Sequence, residues 1–179
     1  MVKNHTHSCS FYKSLNLLIM SKKYYVVILI MGICFLGCTN QSNKLTEQKK
    51  LEIENQILNE WEKVCTTIEN SDSEKYAFFI SPDLIMMGSN GLVFYSKKDY
   101  IDNVRGWFST RENTEIEKES IIVTVLSDKM ALLDQESIFE LTYKNESIQR
   151  VQHAVTLVFE KEPSGWMIVH GHESFKEIE

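Results

Sequence analysis

Two pairs of titratable side chains near the end of the chain could carry chemistry: His153 with Glu173, and His170 with His172. An imidazole beside a carboxylate that burial has raised is an acid–base pair able to move a proton on a bound molecule. The plainer alternatives are a charge-linked structural pair, or two residues that never meet. His170-x-His172 lies in Gly165–Phe175, which reads as a β-strand entered through the turn Glu162-Pro163-Ser164-Gly165. Alternate strand positions set two imidazoles side by side, as a metal ion requires. Beyond residue 37 the only histidines are His153, His170 and His172, and no third ligand is evident. Histidines hydrogen-bonded in or beside an interface are the competing reading, and no metal or cofactor is expected. The main expectation is a cavity that binds a small molecule without chemistry; an isomerase, hydratase or cyclase using His153 and Glu173, and a non-catalytic scaffold module, are the alternatives. Cys65, on the apolar side of a helix, reads as a small core residue rather than a nucleophile.

The elements that must position these groups follow from periodicity. Leu51, Ile57, Trp61, Val64, Cys65 and Ile68 recur at helical spacing over about Thr46–Asn70, with Trp61 packing against a sheet. Asn70-Ser71-Asp72-Ser73 ends this helix and caps a short second one, Glu74–Ile80. Ser81-Pro82-Asp83 reads as a turn. Leu84–Met87 and Leu92–Tyr95 form a hairpin with Asn90-Gly91 supplying positive φ. Ser96-Lys97-Lys98-Asp99 is a capping box that opens a third helix over Lys97–Phe108. Four long strands follow: Thr114–Leu126, Met130–Tyr143, Ser147–Glu160 and Trp166–Phe175. Short turns between them imply antiparallel neighbours. Helices first and a meander last make an α+β domain.

The N-terminal segment reads differently. Lys22 and Lys23 precede an apolar run, Tyr24–Leu36, shorter than the roughly 20 residues that span a bilayer but suited to a signal-peptide core. Phe35-Leu36-Gly37-Cys38 resembles a bacterial lipobox, with phenylalanine where leucine is usual. The expected organisation is a lipoprotein signal peptide over 1–37, with Met20 a plausible true start. Acylated Cys38 would hold the lipid bilayer, with a polar tether over 38–49 and one domain over 50–179. That places the domain at the bacterial cell envelope, periplasmic or surface-facing. About 142 residues would remain, carrying fifteen basic and twenty-five acidic side chains, a net charge near −10. Such a chain is poorly suited to a nucleic-acid backbone. With Cys65 the sole remaining unmodified thiol, no intramolecular disulfide is available.

The hairpin with Asn90-Gly91, the helix after it, and W-x-I-V-H-x-H-x-S over Trp166–Ser174 resemble the nuclear transport factor 2-like superfamily, in its SnoaL-like branch. The similarity covers about Leu51–Phe175 and extends to the calcium/calmodulin-dependent kinase association domain. It implies a cone: three helices closing over the concave face of a strongly curved, mostly antiparallel sheet, around a pocket. The family includes isomerases, dehydratases, cyclases and pure binding or assembly modules, so fold alone does not choose the function. No buried Asp–Tyr arrangement of the steroid-isomerase kind is legible.

Strand alternation selects Leu133, Gln135, Ser137, Phe139, Leu141 and Tyr143, and then Val151, His153, Val155, Leu157 and Phe159, as inward sets. For the last strand, resemblance to the association domain turns Glu173 inward and His170 and His172 outward. The expected lining is Tyr100, Trp107, Gln135, Ser137, Tyr143, His153 and Glu173. Arginines of the association domain are replaced here by Ser137, Leu157 and Glu173, so a small neutral hydrophobic ligand is expected. The back of the sheet, with Ile138, Val158, Trp166 and Ile168, is expected to form a homodimer.

Overall fold

The computed structural model describes residues 45–89 and 91–178. The signal peptide, Met20, Cys38 and the tether up to residue 44 lie outside them, as does Asn90 of the hairpin. Among the described residues no helix is long and apolar enough to cross a membrane.

Helix α1, Glu47–Glu69, starts where Thr46 accepts the backbone N–H of Lys49 through its hydroxyl, at 3.2 Å. Its apolar stripe, Ile53, Ile57, Trp61, Val64 and Ile68, is buried in the main core. Helix α2, Ser73–Tyr76, is a single turn capped by Asp72 and runs into a 3-10 turn, Ala77–Phe79. Helix α3, Lys97–Ser109, has the expected cap: the Asp99 N–H donates to Ser96 Oγ at 3.2 Å, and that hydroxyl donates to the Asp99 carboxylate at 2.8 Å.

Six strands make one open, mixed sheet in the order β2-β1-β6-β5-β4-β3. They are β1 Ile80–Met87, β2 Val93–Phe94, β3 Arg111–Val125, β4 Met130–Tyr143, β5 Ile148–Glu162 and β6 Gly165–Ile178. Neighbours are antiparallel except β1 and β6, which run parallel. That parallel pair follows from the long excursion through β2, α3 and the meander before the chain returns beside β1. Ser81-Pro82-Asp83 is not a separate turn. It is an irregularity inside β1, where pairing with β6 lapses between Ile80 and Ile85 because proline has no N–H to donate. Gly91 has φ +72, as a hairpin turn requires.

On β4 and β5 both inward sets are placed as alternation predicts: Leu133, Gln135, Ser137, Phe139, Leu141, Val151, His153, Val155, Leu157 and Phe159 are all buried. On β6 simple alternation fails. Val158 pairs with His170 but Phe159 pairs with Ile168, so Val169 is an extra residue and the strand changes face there. Trp166 and Ile168 consequently belong to the core, at 6% and 0% exposure, and are not available to a dimer surface on the back of the sheet. The Trp166 indole N–H donates to Gln56 of α1 at 2.9 Å.

After the bulge Gly171 turns inward. A Cβ there would lie 2.7 Å from Leu157 Cδ2 and from Met86 Sδ. Gly171→Ala should therefore lower stability by about 1–3 kcal/mol as those two side chains are pushed aside. Urea unfolding measures it, and an unchanged midpoint would show that Met86 and Leu157 yield without cost.

Candidate functional site

A cavity of about 630 Å³ lies between the three helices, the β1–β2 hairpin and one face of β4–β6. Its wall is mostly aromatic and aliphatic, including Trp61, Phe94, Trp107, Phe108, Phe139 and Phe175. Ser89, Asp102, Asn103 and Thr110 are polar members of its lining, and the ionisable or phenolic groups on the α2, α3, β5 and β6 walls that concern us are Tyr76, Tyr100, His153 and Glu173.

Tyr100 is on the buried face of α3 and Tyr76 at the end of α2, and their hydroxyls meet at 3.0 Å. Both rings are packed, Tyr76 against Phe108 and Tyr100 against Phe94, each edge-on. Burial pushes both phenols above their ordinary range, and the nearby Glu173 charge pushes them further. They therefore stay protonated and can donate hydrogen bonds at any physiological pH.

Glu173 projects inward from β6 because of the bulge at Val169. Burial alone raises its carboxyl to about 7. No neighbouring cation offsets that burial among the described residues, so it is divided between acid and base near neutrality.

His153 faces the same cavity from β5, opposite Phe175 and diagonal to Glu173. Its ring is stacked between Phe139 and Phe175, at centroid distances of 5.0 and 4.6 Å. Nδ1 meets the Ser137 hydroxyl at 3.4 Å. Burial lowers the imidazole to about 4, so it is neutral in use. His153 and Glu173 thus share a wall, as the sequence suggests, but no hydrogen bond joins them among the described residues.

Of the other expected lining residues, Tyr100 and Trp107 border the cavity and three do not. Ser137 sits behind His153. Gln135 donates from Nε2 to Glu119 at 2.6 Å, where the Trp61 indole N–H also donates, at 3.0 Å. Tyr143 donates to Gln149 at 2.8 Å. All three have the right parity, but α1 and the end of the sheet cover them before the cavity does. Cys65 is partly buried, with Sγ 3.7 Å from Glu119, and burial beside that carboxylate pushes its thiol up, away from nucleophilic use. His170 and His172 lie on the opposite face of β6. No cluster of three metal-binding side chains occurs among the described residues. Sequence reasoning missed Tyr76, whose one signal was its place one turn after the Asp72 cap.

A helix-covered open, mixed sheet around an aromatic cavity, with a half-buried carboxyl and paired phenols on its wall, defines a domain of the α+β class. The family model for the SnoaL-like domain matches residues 55–176, and the chain belongs to that family. Among curated proteins no relative matches. Solved structures share the fold. One, from Xanthomonas campestris, is described provisionally as a calcium/calmodulin-dependent protein kinase II association domain; it is 21% identical, with TM-score 0.59, covering 67% of this chain and 85% of its own. Another, from Novosphingobium aromaticivorans, is described provisionally as a scytalone dehydratase; it is 12% identical, with TM-score 0.66 and coverages of 75% and 89%. A third, from Streptomyces avermitilis, is described provisionally as a dehydratase of the NTF2-like family; it is 14% identical, with TM-score 0.60 and coverages of 67% and 93%. At these identities the likeness concerns the fold, which is the nuclear transport factor 2-like α+β fold.

Proposed function

We propose that the domain takes up a small, mostly apolar molecule and exchanges a proton with it through Glu173, in a reaction of the isomerase or dehydratase type. The observation that carries this is the unpaired carboxyl held near pH 7 inside an aromatic cavity. In that state it accepts a proton from carbon or returns one to a leaving oxygen without an extreme shift of pH. The Tyr76–Tyr100 pair supplies a fixed hydrogen-bond donor for an oxygen on which charge develops. His153, lowered to about 4 by burial, is a weak base near neutrality, so this reading gives the proton transfer to Glu173 and leaves the imidazole as part of the wall. Two structural neighbours are described as dehydratases, and the arrangement suits the same class. The cavity's size favours ligand uptake over a purely architectural module.

The test begins with native mass spectrometry of the purified protein to identify a carried ligand. Its turnover by Glu173→Gln should then fall by about 10²–10⁴-fold, the usual worth of a general acid or base. Full turnover by the glutamine variant would leave binding without catalysis as the function.

The sequence also supports an anchored domain: a lipobox-like Leu36-Gly37-Cys38 after an apolar run, and a short polar segment before α1. On this reading the mature chain begins at acylated Cys38. Mass spectrometry of the N-terminal peptide decides it, and an unmodified thiol with residues still preceding it would overturn it. Dimerisation through the back of the sheet stays part of this reading, with Ile138 and Val158 but without Trp166 and Ile168.

A further inference from the structure

Arg111, the first residue of β3, is 3% exposed and has no carboxylate partner among the described residues. The chain's other two arginines are both ion-paired: Arg105 with Asp102 and Glu74, Arg150 with Glu117. The Arg111 guanidinium lies over the Trp107 ring, and its sole hydrogen bond runs from Nη1 to Thr114 Oγ1 at a long 3.4 Å. Nε and Nη2 are buried without a partner. These two nitrogens form one edge of the guanidinium, the fork that matches the two oxygens of a carboxylate. Burying a cation with that edge empty is unfavourable in a protein interior unless something anionic returns the interaction.

The place bears on what that partner is. Trp107 and Thr110, which precede Arg111 at the end of α3, both border the cavity. Phe175, also on the wall, packs against Trp107 at 6.0 Å. Arg111 does not itself line the cavity; its guanidinium stands behind Trp107, which does, and no ion pair occupies it among the described residues. We propose that Arg111 anchors the ligand through a single carboxylate, so that the cavity takes an apolar monocarboxylate, the Trp107 indole tilting to let the anion reach the Nε–Nη2 edge. This departs from the neutral ligand expected from the sequence. It rests on the cavity being a ligand site, but not on proton transfer by Glu173.

The probes are 2-naphthoate and its uncharged amide, 2-naphthamide, titrated calorimetrically into the full-length chain at pH 6, where Glu173 is mostly protonated. Naphthoate should bind at least about tenfold more tightly than naphthamide. Arg111→Met should bring that ratio to about one while leaving naphthamide binding within about twofold, and Arg111→Lys should retain part of the preference. With three arginines in the chain, ¹⁵N-arginine labelling gives a second reading that needs only the wild-type fold. One Nε resonance should move with naphthoate and not with naphthamide. Equal affinity for the two probes, a preference that survives Arg111→Met, or no shifted Nε resonance overturns the anchor while leaving the cavity as a binding site. Failure of both probes to bind overturns the anchor together with the cavity reading beneath it.

Discussion

Glu173→Gln should make the protein more stable at neutral and alkaline pH, by about 3 kcal/mol at pH 8. The carboxyl has an ordinary value of 4.5 and is raised by burial to about 7 in the folded chain. Between those values the folded state holds a proton that the unfolded state has released. Stability is then complete below pH 4.5 and is lost as pH rises to 7, at roughly 1.4 kcal/mol per pKa unit. Glutamine cannot ionise, so the variant keeps what the wild type gives up. Near pH 4, where both forms are uncharged, the two proteins should unfold alike. Chemical denaturation at pH 4, 6 and 8 reads the difference directly. A variant no more stable than wild type at pH 8 would mean that the carboxyl is solvated or paired, and the catalytic proposal would lose its basis. The same substitution is expected to lower turnover by about 10²–10⁴-fold. A residue that costs stability in its working state and whose removal stabilises the fold is the pattern of a functional group, not a structural one.

Much of the fold was legible because period and capping are local properties. The strand faces of β4 and β5 follow from alternation, with Asp134, Glu136 and Glu140 opposite the bulkier side of β4 and Gln152, Ala154 and Thr156 opposite that of β5, and α3 from Ser96 and Asp99. What could not be read depended on contacts between distant elements. Both faces of Trp166–Glu173 carry apolar bulk, so alternation had no polar side to lose, and the extra residue at Val169 left no mark in composition. That bulge decides two things at once: Trp166 enters the core, and Glu173, not His172, enters the cavity. The Tyr76–Tyr100 pair joins a one-turn helix to α3 and exists only once both have packed. Arg111 fell between the third helix and the strand expected from Thr114, outside every element read from the sequence. Its burial comes from α3 ending directly above it, with Trp107 on the guanidinium. The expected pocket residues Gln135, Ser137 and Tyr143 had the right parity, but parity fixes a face and not the depth at which a side chain meets its neighbours.

His153 should reveal its own pH dependence when Glu173 is silenced. Burial lowers its imidazole from 6.5 to about 4, so the unfolded chain takes up a proton in that interval that the folded chain refuses. Its contribution is complete above pH 6.5 and is lost as pH falls to 4, again about 3 kcal/mol in all. Glu173 acts with the opposite sign between 4.5 and 7, so in the wild type the two slopes nearly cancel from about pH 4.5 to 6.5. Each is visible only in the absence of the other. In Glu173→Gln, stability should climb by about 3 kcal/mol from pH 4 to 6.5. In His153→Phe, which keeps an aromatic ring between Phe139 and Phe175, stability should instead decline from pH 4.5 to 7. Loss of the Ser137 contact should lower that variant by about 1 kcal/mol at every pH, which shifts the curve without tilting it. The double variant should differ from wild type by a nearly constant amount between pH 4.5 and 6.5. Parallel curves for all four proteins would show that neither group is held away from its ordinary state. A double variant steeper than either single one would show that the imidazole and the carboxyl interact across the cavity, and the acid–base pair suggested by the sequence would then replace Glu173 acting alone.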